Sequence, residues 1–150
     1  MNGRAVPQSS GRPRADSGNA ALELVVLAPV LLALLGLVIA AGRTTVAQGS
    51  VDAAARDAAR QASIALGPAA AADAGQASAR AALARDGLDC TSLLVSVDTG
   101  QFSNPVGQPA TVTARVSCTV PLADLALPGL PGSATLRATF SSPLDLYRVR

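Results

Sequence analysis

Histidine, lysine and tryptophan are absent from the 150 residues, tyrosine occurs once, phenylalanine twice, and the single methionine is the first residue. Each gap removes a kind of chemistry. Without histidine there is no imidazole to ligate a metal or relay a proton near neutral pH, and without lysine a serine–lysine pair cannot form. An aromatic share of 2% leaves little to line a stacking pocket. Residues 100–107, GQFSNPVG, lack both the glycine spacing and the following helix of a phosphate cradle. The spacing of Asp98, Asp124 and Asp145 places no two carboxylates together. The expectation is therefore a protein that is not an enzyme, with no cofactor and no metal. Twelve arginines against ten acids give a formal charge of +2, spread evenly along the chain, so no nucleic-acid partner is expected.

What is present is small and aliphatic. The chain is 49% hydrophobic and 32 of its residues are alanine, in a length that suits one modest domain. The exception is residues 24–42, LVVLAPVLLALLGLVIAAG, nineteen uncharged residues preceded by Glu23. As a helix this run spans roughly 28 Å, close to the hydrocarbon thickness of a bilayer. It reads as a transmembrane helix in contact with lipid, where Pro29 and Gly36 are tolerated. The alternatives are a buried core helix and a cleavable secretory signal ending near Ala41, but the run exceeds the usual signal length and has an acid at its entrance. Arg4, Arg12 and Arg14 on one flank balance Arg43, Arg56 and Arg60 on the other, so positive charge does not orient the span. The pair Cys90 and Cys118 does: two cysteines among strand signals suit an oxidising compartment, which puts the N-terminus in the cytoplasm and residues 43–150 outside.

The helical pattern runs on to Leu66, where Gly67 and Pro68 stop it, with a weak apolar stripe of Val46, Ala53, Ala54, Ala58, Ala62 and Leu66 and an i,i+4 pair of Asp52 and Arg56. A continuous helix of that extent would measure roughly 70 Å. Such a stripe needs a partner or the following domain to hold it. A second alanine-rich helix is expected over 69–86, ending at Gly87. Strands follow at 91–98, 110–120 and 134–140, the second with Val112, Ala114, Val116, Cys118 and Val120 alternating against polar residues. If Cys90 faces Cys118 across a hairpin, the turn centres on Asn104, inside a turn-rich segment, which supports a disulfide; two buried free thiols are the alternative. That register sets Ser92 and Ser96 opposite Val116 and Val112, and a one-residue bulge after Cys90 would restore the apolar face. Residues 121–133, with Pro121, Pro128 and Pro131 among leucines, read as an ordered apolar loop that covers the sheet or meets a partner.

The junction before the apolar run is the most informative segment. A polar leader with three arginines ends at Gly18, followed by Asn19, Ala20, Ala21, Leu22 and Glu23. This pattern resembles a class III signal, in which a membrane aspartyl peptidase cuts on the cytoplasmic side, here between Gly18 and Asn19. The sequence is similar to the TadE-like (TadE/TadG) family of minor pilins or pseudopilins of tight-adherence (Flp) pilus systems, with their G-x-A-A-x-E motif and proline-containing apolar helix. Leu24 stands where members often carry phenylalanine. PGLPG and PLDLYR in the tail look, more loosely, like the C-terminal part of actinobacterial members. The resemblance implies a prepilin peptidase, other pilin-like subunits and inner-membrane pilus assembly proteins as partners, beside the lipid bilayer. It also implies Glu23, Pro29 and Gly36 as packing and assembly residues. A carboxylate at the edge of a hydrocarbon helix sits at the headgroups or finds a partner. Cleavage would expose the amine of Asn19 about one turn away, able to neutralise Glu23 of a neighbouring subunit and set the axial stagger; otherwise Glu23 marks the cytoplasmic interface.

The expected fold class is α+β: an N-terminal transmembrane helix extending into an exported helix, then a small antiparallel β-containing domain. The expected divisions are a cytoplasmic leader at 1–18, the transmembrane helix at 19–42, an alanine-rich helical stalk at 43–86 and a small β-rich extracytoplasmic domain at 87–150. Candidate partner contacts are Arg56, Arg60, Leu125, Leu127 and Leu130. The expected function is a minor pilin-like component; the alternative is a membrane-anchored envelope binding module with no filament role.

Overall fold

Helix α1 (Ser17–Ser63) carries both the apolar run and the first alanine-rich segment. It is followed by α2 (Pro68–Arg85), β1 (Ser92–Asp98), a 3-10 turn (Gly100–Ser103), β2 (Thr111–Pro121), the short α3 (Leu122–Leu125) and β3 (Ser133–Pro143). This computed structural model describes residues 17–125, 129 and 131–145, with side chains from Glu23 onward. The chain divides into two units, Met1–Leu35 and Gly36–Arg150. The α+β expectation holds.

Local chemistry sets the element ends. Ala65 N–H turns back to the Ala62 carbonyl and Ser63 Oγ donates to the Arg60 carbonyl, closing α1 four residues before Gly67 and leaving Leu66 87% exposed. The expected continuation to Leu66 is thus corrected. Pro68 opens α2 at a first-turn position whose N–H would have no helical partner. At its far end Gly87, at φ +68°, and Leu88 donate to the carbonyls of Ala84 and Leu83, the paired bonds of a left-handed helix cap.

The sheet is antiparallel in the order β1-β2-β3. Its inner face is the alternating set of β2, Val112, Ala114, Val116, Cys118 and Val120, all buried, flanked by Leu93, Val95 and Val97 of β1 and by Leu136 and Ala138 of β3. Ala47, Val51, Ala54, Ala55, Ala58 and Ala59 of α1 and Ala79, Ala82 and Leu83 of α2 cover most of that face. The buried stripe of α1 therefore differs from the expected one: Val46 is exposed and Ala53 only half-buried, because the helix is rotated to seat residues 47, 51, 54, 55, 58, 59 and 62. The stalk alanines pack against the following domain. Among the described residues no wholly buried side chain exceeds valine in size, so the layers approach closely. At Gly75 of α2 an added Cβ would lie 2.8 Å from Val97 Cγ2 and 3.2 Å from the Ala58 carbonyl, so only glycine fits without a shift.

The disulfide between Cys90 and Cys118 forms, with their Cα atoms 5.4 Å apart, but the expected register does not. β1 pairs from Ser92 opposite Thr119 to Asp98 opposite Thr113, so Cys118 faces Leu93. The chain bends at Thr91, whose N–H and Oγ1 both donate to the Thr119 carbonyl, at 2.8 and 2.9 Å. That bend lets Cys90 reach Cys118 from outside the strand. The offset of three residues is odd, so Leu93, Val95 and Val97 turn inward, the face a one-residue bulge would also give, though two pairings further on. The Asp52–Arg56 pair is replaced too: Asp52 accepts from Gln48 Nε2 at 3.2 Å, and the Arg56 guanidinium lies 5.8 Å from the Phe140 ring centroid.

Candidate membrane anchor and assembly site

Between Glu23 and Arg43 every large aliphatic side chain of α1 is exposed. Counted from Glu23, α1 is long and apolar enough to cross a membrane. Pro29 lies inside the helix, and its missing N–H leaves the carbonyl one turn earlier without the usual donor, a cost neighbouring groups can meet in a membrane. A Cβ on Gly36 would touch nothing within 4 Å, so no contact within the chain requires a glycine there. Where the run ends, Thr44 and Thr45 donate their hydroxyls to the carbonyls of Ala40 and Ala41, each at 2.9 Å, and so need no outside partner.

The structure places the remaining candidates as follows. Gly18 and Asn19 lie in the first turn of α1, and Glu23 is exposed with no ion-pair partner among the described residues. Arg56 and Arg60 are exposed, Arg56 being engaged by Phe140. Leu125, 4% exposed, belongs to the core beneath the sheet, so its expected surface contact is corrected to the sheet-covering alternative. Leu127 and Leu130 lie outside the described residues.

Two features escape a reading of the sequence. The first is a cleft of about 580 Å³ within the Gly36–Arg150 unit, beside residues 39–50 of α1. One wall is Ile39, Arg43, Val46 and Ser50, spaced as one face of α1; the other carries Asp86, Leu88, Asp89 and Asp124. The second is the outer sheet face, which no helix covers and which holds Leu94, Arg115 and Arg137 among serines and threonines. The alternation within 110–120 marks Arg115 as outward-facing, but only the β2–β3 register sets Arg137 diagonal to it on the same face. The cleft left no such trace, since its walls come from three separate segments.

Helix α1 thus joins an apolar segment of membrane-crossing length to the packing helix of a small disulfide-closed α+β unit. Residues 18–60 match the family model described as TadE-like protein. The match begins at Gly18, the first residue of the motif on which the resemblance rests, and runs through the apolar span into the buried alanine stripe. No curated protein and no solved structure matches the chain.

Proposed function

We propose that this chain is a minor pilin or pseudopilin-like structural and assembly component of a tight-adherence pilus or a related secretion machine, with no catalytic role. The TadE-like match at 18–60 supports the coarser statement, a component associated with such a pilus. The observation that carries the finer one is the coincidence of three things at one point: the start of the match, the Gly18-Asn19-Ala20-Ala21-Leu22-Glu23 junction, and a helix whose large side chains find no cover within the chain.

In this reading residues 1–18 are a cytoplasmic leader removed by a prepilin peptidase after Gly18. The disulfide, which persists in an oxidising compartment, supports an extracytoplasmic domain. The exposed face of α1 packs in lipid against other pilin-like subunits and assembly proteins, and Gly36 allows close backbone approach. Glu23, held at the hydrocarbon edge, pairs with the amine of Asn19 on a neighbour and sets the stagger between copies. The deciding measurement is the mature N-terminus, read by mass spectrometry of the membrane-associated protein from its native host. A start at Asn19 is expected. An intact leader would overturn the processed-pilin mechanism in favour of an anchored envelope module, and a start just after residue 42 would indicate a secreted protein. With processing established, Glu23→Gln should block assembly while leaving cleavage intact.

A further inference from the structure

The cleft and the outer sheet face are complementary. The apolar floor of the cleft lies on the flank of α1 beside the buried stripe, where Val46 is 72% exposed. Around that floor stand Asp86, Asp89 and Asp124 with Arg43; Asp86 already has Arg85 Nε at 3.7 Å, so Asp89 and Asp124 against Arg43 leave a formal charge of −1 there. On the sheet, Leu94, Ser117 and Arg137 form one cross-strand row, and Ser96, Arg115 and Thr139 the next. Leu94 is 69% exposed, and neither Arg115 nor Arg137 has a carboxylate at ion-pair distance among the described residues, so these two rows carry +2, which Asp98 in the next row of the same face reduces to +1. Like charges on diagonal positions of adjoining strands repel, a cost that an anionic partner would relieve.

The two surfaces also share a level. Gln48 Nε2 donates to the Arg137 carbonyl at 3.0 Å, which fixes the Leu94–Arg137 row beside the stretch of α1 whose Ala47 and Ser50 line the cleft.

We propose that the sheet face of one copy docks into the cleft of the next, with Leu94 on the apolar floor and Arg115 and Arg137 against the Asp86, Asp89 and Asp124 carboxylates. The occupant is a second copy of this chain. Patch and cleft are different surfaces, so the contact is heterologous and propagates from copy to copy. Exposed ion pairs are individually weak, and anchoring in one membrane supplies the effective concentration that lets them act together. The inference rests on the pilin-like reading, which gives every copy the same orientation.

The test uses the full chain in native-host membranes. Ser50→Cys in the cleft and Ser96→Cys on the sheet face, combined in one chain and treated with a short bis-maleimide, should give a ladder of dimers and larger species. Either substitution alone should give none. Arg115→Glu with Arg137→Glu should cut the cross-linked fraction at least tenfold, and adding Asp89→Arg with Asp124→Arg should restore it. An intact Cys90–Cys118 disulfide and an unchanged circular dichroism spectrum check that each variant folds. Should the combined variant not fold, 0.5 M salt must itself weaken the ladder of the doubly labelled chain.

A missing ladder, equal cross-linking by either single cysteine, or indifference to charge reversal and salt would overturn the proposal. So would loss on the first reversal without recovery on the second, which assigns the arginines to an anionic lipid or glycan. Mass spectrometry of the same bands separates the two hypotheses. A ladder of chains that keep residues 1–18 sinks the pilin reading and leaves the interface standing; processed chains without a ladder sink the interface alone.

Discussion

The two halves of α1 draw on the same apolar residue class and reach opposite environments. Between Glu23 and Arg43 the large side chains, Leu, Val and Ile, are all exposed; from Ala47 to Ala62 the inward positions are six alanines and Val51, none more than 5% exposed. Bulk, then, does not decide burial in this chain. Alanine lets the helix lie close to α2 and the sheet, close enough that Gly75 has no room for a methyl group. The leucines of the first half meet no such surface among the described residues and stand exposed. The cost of the alanine design is a thin core, since burial stabilises in proportion to apolar area and each alanine offers little. The disulfide offsets that deficit.

If the halves depend on different surroundings, each of four changes should register in one and spare the other. The largest effect is expected from Cys90→Ala with Cys118→Ala. Opening a loop of 28-residue separation should cost about 3.5 kcal/mol by the chain-entropy relation, read from denaturant unfolding of the full chain in micelles, while membrane partitioning stays as it was. Leu31→Arg should do the reverse, weakening insertion by about 2.5 to 3.5 kcal/mol in a membrane-partitioning assay with no change in the domain's unfolding midpoint. Gly75→Val forces side-chain atoms against Val97 and the Ala58 carbonyl, and a loss of about 1 to 3 kcal/mol in domain stability is expected. Arg56→Ala removes the contact with the Phe140 ring and should cost about 0.5 to 1 kcal/mol. A Leu31→Arg chain whose domain also melted early would break the comparison; a Gly75→Val chain that left the membrane would break it from the other side.

The sequence announced some of this and concealed the rest for identifiable reasons. β2 was legible because Val112, Ala114, Val116, Cys118 and Val120 alternate with polar residues, and burial follows that alternation. The Gly18–Glu23 junction was legible as a motif, and the match begins there. The pairing of β1 was not, because setting Cys90 directly opposite Cys118 assumes a straight strand, whereas the bend at Thr91 lets the disulfide form from outside the ladder. The inward face of α1 was misplaced because alanines at 53, 54, 55, 58 and 59 look alike to a periodicity count. The inward face passes Gly75, whose missing side chain leaves room for the Ala58 carbonyl and Ala62, and a glycine among alanines gives no local signal. Leu125 read as a surface contact because three prolines marked its segment as loop, yet Leu122–Leu125 form a helical turn that carries it into the core.

The disulfide has a mechanical side. Pulled between α1 and β3, the domain would transmit load through the bond and not through the backbone between Cys90 and Cys118. The 28 residues of that separation hold β1, the 3-10 turn and most of β2, and at about 3.5 Å per residue they amount to roughly 100 Å of chain that cannot pay out under tension. A stretched oxidised domain would therefore stop short of its reduced counterpart by about that length, with its central hairpin still closed into a loop.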